Sequence, residues 1–263
     1  MDVPLPNFTQ TLGPLGLDIP PAGETPFEDL EAQYRRRLAE GEGPVHINCM
    51  MTMAECRAAL LAVREAGRGP VWVSWACDED GESPTRVHML AALFVAEGMG
   101  AAAFGLNCPP VLAREQLALL APYASVPLFY VRDGRCILWP CAPAEHDPDV
   151  IPCASGTRAC FVTRTVDVGE ELECSPDLLE DIIAAENDPV GALKIAILSQ
   201  DDVDIFAQHQ YAVNKALCLW SDVPELLEAA LRLYQGRAFY DGTGDLPADV
   251  LARLSTVYGL IIL

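Results

Sequence analysis

Short, almost uniformly apolar runs alternate along this chain with longer stretches in which apolar residues return at helical spacing. The runs PVHINC (44 to 49), PVWVSW (70 to 75), AAAFGL (101 to 106) and VPLFYV (126 to 131) have the make-up of strands buried on both faces. Between them the pattern predicts helices. TMAECRAALLAVREAG (52 to 67) opens on Thr52 as N-cap, with Glu55 three residues later completing a capping box, and stops at Gly67. SPTRVHMLAALFVAEG (83 to 98) repeats that logic with Ser83 as cap, a proline at the first helical position and Gly98 at the end. VLAREQLALLAPY follows the third strand.

A Pro- and Cys-rich interval from Gly134 to Ser155 interrupts the alternation, which then resumes. ACFVTRTV (159 to 166) reads as a strand and SPDLLEDIIAAEN as an acidic helix capped by Ser175. Strands LKIAIL, ALCLW, RAFYD and LIIL follow, separated by the helices DDVDIFAQHQY, DVPELLEAALRLYQG and LPADVLARLSTVYG. A linker or boundary therefore falls near residues 134 to 158, separating regions 1–155 and 156–263. The expected class is α/β with parallel strands. Each region supplies about four confident strands, so two half-barrels are expected, which would close into one (β/α)8 barrel within a chain or between chains. An open sheet in each half is the rival, and strand counts do not separate the two.

Composition narrows the partners. The 263 residues carry 17 Lys plus Arg against 38 Asp plus Glu, a formal charge of -21, and 51% are hydrophobic. Such a balance repels phosphate backbones and anionic membrane surfaces, so no nucleic acid and no membrane is expected as a partner. No apolar run reaches the length of a spanning helix, and MDVPLPNFTQ lacks a basic segment followed by an apolar one, so a cytoplasmic location is expected. The ten cysteines then read as reduced thiols or metal ligands, scattered without a CxxC pair.

Candidate chemistry lies at the carboxyl ends of the strands, where ligands sit in barrels and open α/β sheets. The first strand ends in Asn48 and Cys49. The second gives Ser74, Cys77 and the acidic run Asp78, Glu79, Asp80, and the third gives Asn107 and Cys108. All are expected to face one mouth. Cys108 is either a metal ligand or an ordinary buried cysteine, and His46 and His88 read as core or surface residues. No Ser-His-Asp order, HExxH pattern or phosphate-binding loop with its lysine is present.

WVSWACDEDG followed some thirty residues later by GLNC resembles the homocysteine S-methyltransferase family, as found in methionine synthase-like proteins. GPLG (13 to 16) resembles the family's GPxG loop, and ETPFEDLEAQYRRRLAEG with MTMAECRAALLAVRE resembles the elements after it. The resemblance covers roughly residues 10 to 155. It implies a zinc-bearing (β/α)8 barrel in which three thiolates hold Zn²⁺ and keep a small-molecule thiol substrate, homocysteine, ionised for attack on an activated methyl group. By that resemblance Cys108 and Cys141 are metal ligands, and Ser74, Asp78, Glu79, Asn48 and Asn107 line the substrate site.

Several positions depart from the family. PCAPAEHD (140 to 147) resembles its CCGTTPEH stretch with a gap of one residue, and Pro140 replaces the first cysteine there. A third ligand would come from Cys49, Cys77, Cys136, Cys153 or His146, and spacing selects none. Asn48 stands where the family has the glutamate that holds the substrate's amino group. The family's opening strands, with DGGMGT, have no counterpart, so the chain begins where that barrel is nearly half built.

SDVPELLEAALRLYQGRAFYDGTG resembles a pterin-module pattern, but YDGTG replaces its folate-binding asparagine, making folate an unexpected cofactor. Three readings follow. One is a divergent zinc-dependent thiol methyltransferase. Another is a catalytically silent relative acting as a binding or partner subunit, as a homodimer or with a chain that completes the barrel. The third is a small-molecule or metal-binding protein using the same mouth.

Overall fold

A strand that is apolar on both sides must be covered on both sides, and both parts of the chain meet that demand with the same plan. The computed structural model describes residues 6–15, 26–38, 41–140, 147 and 149–263. It divides into two units, Met1–His146 and Asp147–Leu263.

The first unit runs β1 (Gln10–Leu12), α1 (Phe27–Arg37), β2 (Val45–Met50), α2 (Met53–Glu65), β3 (Val71–Trp75), α3 (Met89–Gly98), β4 (Ala103–Leu106), α4 (Pro110–Leu120), β5 (Leu128–Arg132) and β6 (Arg135–Leu138). Its six strands lie in chain order in one curled sheet, parallel from β1 to β5, with β6 antiparallel to β5. An order without reversal, joined by right-handed crossovers, puts the helices on one face. Val45, Ile47, Val73, Trp75, Phe104 and Leu106 take that face and are fully buried. In register on the other, inner face stand Thr11, His46, Trp72 and Ala103, and beside them Ser74, Gly105, Phe129 and Leu138. Phe8 packs with Trp72, Ala103 and Phe129 and covers part of that face.

The second unit opens on a hairpin, β7 (Ile151–Ala154) with β8 (Ala159–Val162). It continues β9 (Val168–Glu173), α5 (Leu178–Ala185), β10 (Ala192–Ala196), α6 (Gln200–His209), β11 (Ala216–Trp220), α7 (Pro224–Leu233), β12 (Phe239–Tyr240), α8 (Ala248–Tyr258) and β13 (Ile261–Ile262). These last five strands form a second parallel sheet, again in chain order. Cys153 and Val162 of the hairpin pack on Ala192, Ala216, Cys218 and Phe239, closing its inner face.

The α/β class with mostly parallel sheets matches the sequence reading, while several elements differ. ACFVTRTV contributes an antiparallel hairpin strand, and the first parallel strand of the second unit is VGEELE. That strand lies at the sheet's edge with its glutamates exposed, so its polar alternation hides it from a search for apolar runs. α3 begins at Met89 with His88 as its cap, the Leu90 amide donating to Nδ1 at 3.2 Å. Ser83 instead braces the preceding loop, its hydroxyl donating to the Met51 carbonyl at 2.8 Å. Thr52 does cap α2, but in place of a reciprocal backbone bond Glu55 accepts the Thr52 hydroxyl through Oε2 at 3.2 Å and the Leu15 amide through Oε1 at 2.9 Å, tying down the Gly13–Pro14–Leu15 segment. Ser175 accepts from the Asp177 amide, and Asp177 is the cap of α5. Among the described residues no helix is long and apolar enough to cross a membrane.

Candidate functional site at the strand ends of the first unit

The end of β2 is irregular. Its register with β3 shifts between Ile47 and Met50, and Cys49 takes φ 60°, a left-handed conformation that costs a non-glycine residue on the order of 1–3 kcal/mol. The distortion brings the Cys49 amide and the Asn48 side chain together around Ser74, whose side chain is completely buried in mid-sheet. Ser74 Oγ donates to Asn48 Oδ1 at 2.9 Å and accepts the Cys49 amide at 3.2 Å. Asn107 Nδ2 donates to the same Asn48 oxygen at 3.1 Å. His46 Nε2 lies 3.0 Å from Ser74 Oγ. The three polar strand ends singled out in the sequence thus meet through hydrogen bonds, with His46 attached.

Gly105, of the GLNC stretch, has a packing role. A Cβ there would lie 2.6 Å from the Phe129 ring, so only glycine lets β4 run under that ring. The next turn of chain sets Asn107, its amide held by the Trp75 carbonyl at 2.7 Å, and then Cys108.

Cys108 does not stand alone. The Cys77 thiol, which donates to the Asp78 carbonyl at 3.3 Å, adjoins Cys108, and the interaction between the two sulfurs holds Cys108 below the ordinary thiol value while Cys77 is pushed up. Both are half-buried. Asp78 and Glu79 are exposed: Asp78 Oδ1 accepts the amides of Asp80 and Glu82 at 3.1 and 2.9 Å, shaping the loop, and the Glu79 carbonyl accepts from Gln116. Cys141 and His146 lie outside the described residues.

Two further residues adjoin the site: His46, read from the sequence as a core or surface residue, and Cys136, named there only as one of several candidate third ligands. His46 stacks on Phe8 at 5.1 Å and is buried, which lowers its pKa to about 4 and keeps it neutral. Cys136 on β6 places Sγ 3.9 Å from His46 Nδ1. No local motif marks this pair, because ninety residues separate its members.

A three-thiolate zinc site needs three ligands within one coordination sphere. The described residues bring together two thiols, Cys77 and Cys108, and among them no group of three or more His, Cys, Asp or Glu side chains suits a metal ion. They do not fit such a site by themselves.

At the strand ends of the second unit, Lys194 Nζ lies 3.0 Å from Asp241 Oδ2, 3.3 Å from Glu171 Oε2 and 5.3 Å above the Trp220 ring. In the YDGTG loop, Asp241 Oδ1 accepts the Thr243 amide and hydroxyl, and Thr243 Oγ1 accepts from Trp220 Nε1 at 2.8 Å.

No family model matches the chain, and no curated protein matches it in sequence. Among solved structures, a C2-type ketoreductase from a modular polyketide synthase aligns with 12% identity over 89% of this chain and 59% of that chain, at a TM-score of 0.24. The chain thus spans 59% of that structure's length, and a likeness this slight bears on neither fold nor chemistry.

Proposed function

We propose that this chain is a divergent homocysteine S-methyltransferase-like protein whose first unit receives a small thiol at the strand-end mouth. The observation that carries the reading is the pairing of Cys77 with Cys108 beside the hydrogen-bonded chain of Asn48, Ser74 and Asn107. A thiol held toward thiolate accepts a proton or hydrogen bond from an incoming thiol, and the amide side chains offer polar contacts for its amino acid part. Asp78 and Glu79 supply exposed carboxylates near Cys77 in sequence. In this reading Cys108 works with Cys77, and Cys141 is a further candidate. The same reading expects the two half-barrel sheets to close as one barrel, within a chain or between copies.

A second reading is favoured by Asn48. It replaces a carboxylate in the resembled family, and its oxygen already accepts from both Ser74 and Asn107. A catalytically silent binding or partner subunit would retain the scaffold in this way.

Metal content per chain tests both, measured on protein purified without chelator under reducing conditions. Near one zinc per chain, lost in both Cys108→Ala and Cys77→Ala, supports the methyltransferase reading. Zinc far below stoichiometric even after reconstitution sinks it and leaves the silent one.

A further inference from the structure

The inner face of the first sheet opens on a cavity of about 920 Å³. Phe8, His46, Cys136 and Ile137 line it, and Arg132 and Arg135 of the β5–β6 hairpin stand at its wall. Asp133 lines the same cavity and lies 3.5 Å from Arg132 Nε, so Arg135 carries the cavity's excess positive charge. Cys136 is half-buried there, with His46 Nδ1 at 3.9 Å.

The hydrogen-bond chain behind His46 fixes which of its nitrogens carries the proton. Ser74 has one hydroxyl hydrogen, and that goes to Asn48 Oδ1. Its oxygen already accepts the Cys49 amide, so toward His46 it is again an acceptor. Nε2 must therefore be the N–H of the neutral ring, and the lone pair of Nδ1 faces the Cys136 sulfur. Burial lowers His46 to about 4, which keeps the Nδ1 lone pair free at neutral pH but makes it a weak base, and burial also pushes the Cys136 thiol up to about 11, so the proton moves between them only as the electrophile draws off the sulfur's charge. Left alone, that thiol is a poor nucleophile. Beside an oriented base it has a route for its proton.

We propose that Cys136 and His46 form a nucleophile and base pair that accepts small electrophiles with an apolar body and an anionic end. The sulfur lone pair forms the new S–C bond while the electrophile's own leaving group departs with its bonding electrons. The thiol proton passes to Nδ1 and from there to water. An anion in the cavity is attracted by Arg135, and by Arg132 so far as Asp133 leaves its charge uncompensated, and it favours the transient imidazolium, so anionic electrophiles react faster than neutral ones. This site is separate from the Cys77 and Cys108 pair and stands or falls apart from the methyl-transfer reading.

The test is site-resolved alkylation, followed by peptide mass spectrometry, with iodoacetate and iodoacetamide as probes. In each case an S–C bond forms, iodide leaves and the proton is lost through His46. Cys136 is expected to react faster with iodoacetate than with iodoacetamide, the reverse of Cys49 and Cys174. His46→Ala is expected to slow Cys136 at least about tenfold and leave Cys174, in the second unit, unchanged. Equal rates at Cys136 before and after that substitution overturn the proposal. Because His46 is buried and the variant can misfold, the tautomer is also read in the natural sequence from the ¹⁵N shifts of its imidazole. An Nε2–H ring supports the pair, and an Nδ1–H ring overturns it.

Discussion

The inner face of the first sheet carries His46, Ser74 and Cys136 among aromatic rings, with a cavity beside them. The matching face of the second sheet is closed by its own hairpin on Ala192, Ala216, Cys218 and Phe239. Both sheets are wound in chain order, parallel throughout in the second unit and from β1 to β5 in the first. What differs is how their polar groups are satisfied. In the second unit Lys194 meets two carboxylates. Burial works against its charge, but the hydrogen bond and charge of Asp241 outweigh burial and hold Lys194 above its ordinary value. Asp241 is likewise held below the usual carboxylate value, because Thr243 and Lys194 outweigh its own desolvation. Every charge in that cluster has a partner. In the first unit the polar chain ends in two groups with capacity left over, an imidazole lone pair and a thiol. Shared architecture therefore does not imply shared capability, and the first unit is where chemistry is to be sought.

The largest expected effect that separates the units is acid sensitivity. His46 is neutral in the fold, with a pKa of about 4 against 6.5 in the unfolded chain. Between those values the unfolded state binds the extra proton, so stability falls as pH drops from about 6.5 to about 4 and then levels, by roughly 3 kcal/mol in all. Asp241 acts in a lower window: its contribution is present above its ordinary value of 3.8 and disappears as pH falls through its depressed folded value. Hydrogen exchange at pH 5 and pH 7 should show β2 and β3 losing protection while β10 and β11 keep theirs. Equal losses in both sheets would break the comparison.

Next in size is Gly105→Ala. A methyl group 2.6 Å from the Phe129 ring forces that ring to move, at a cost of about 1–3 kcal/mol in urea unfolding. The proposed sites share that ring's surroundings, so Cys136 alkylation should change in the same variant, and an unchanged midpoint would show that the inner face is loosely filled.

A pair of arginines gives the smallest contrast. Arg35 bridges Glu31, whose side chain is fully buried, and Glu65, both at 2.6 Å. Arg253 holds Glu228 on the surface of the second unit. Arg35→Ala should cost about 1–2 kcal/mol, since it takes a partner from a buried carboxylate. Arg253→Ala should cost about 0.5 kcal/mol or less, because both members are solvated. Thermal shifts of similar size in the two variants would refute the ranking.

Much of the secondary structure was legible in the apolar runs. β2 to β5 and β10 to β12 coincide to within a residue or two with runs of the kind a doubly buried strand requires. The misses have local causes. VGEELE is an exposed edge, ACFVTRTV turns back as a hairpin, and Ser83 braces a loop before α3. Of the candidate site, Asn48, Ser74 and Asn107 were legible because strand ends in such sheets share one side, and they do meet. Asp78 was equally visible, but its side chain holds a turn.

The sequence by itself determined the apolar parallel strands β2 to β5 and β10 to β12, their alternation with helices, and the polar residues at the ends of β2 to β4, because each follows from local periodicity and from the need to bury apolar strands. Only the tertiary structure decided that Cys108 partners Cys77, that Asn48 accepts from both Ser74 and Asn107, and that Cys136 meets His46. Those contacts join residues on different strands, and they depend on register and sheet curvature, which every residue of the sheet sets together.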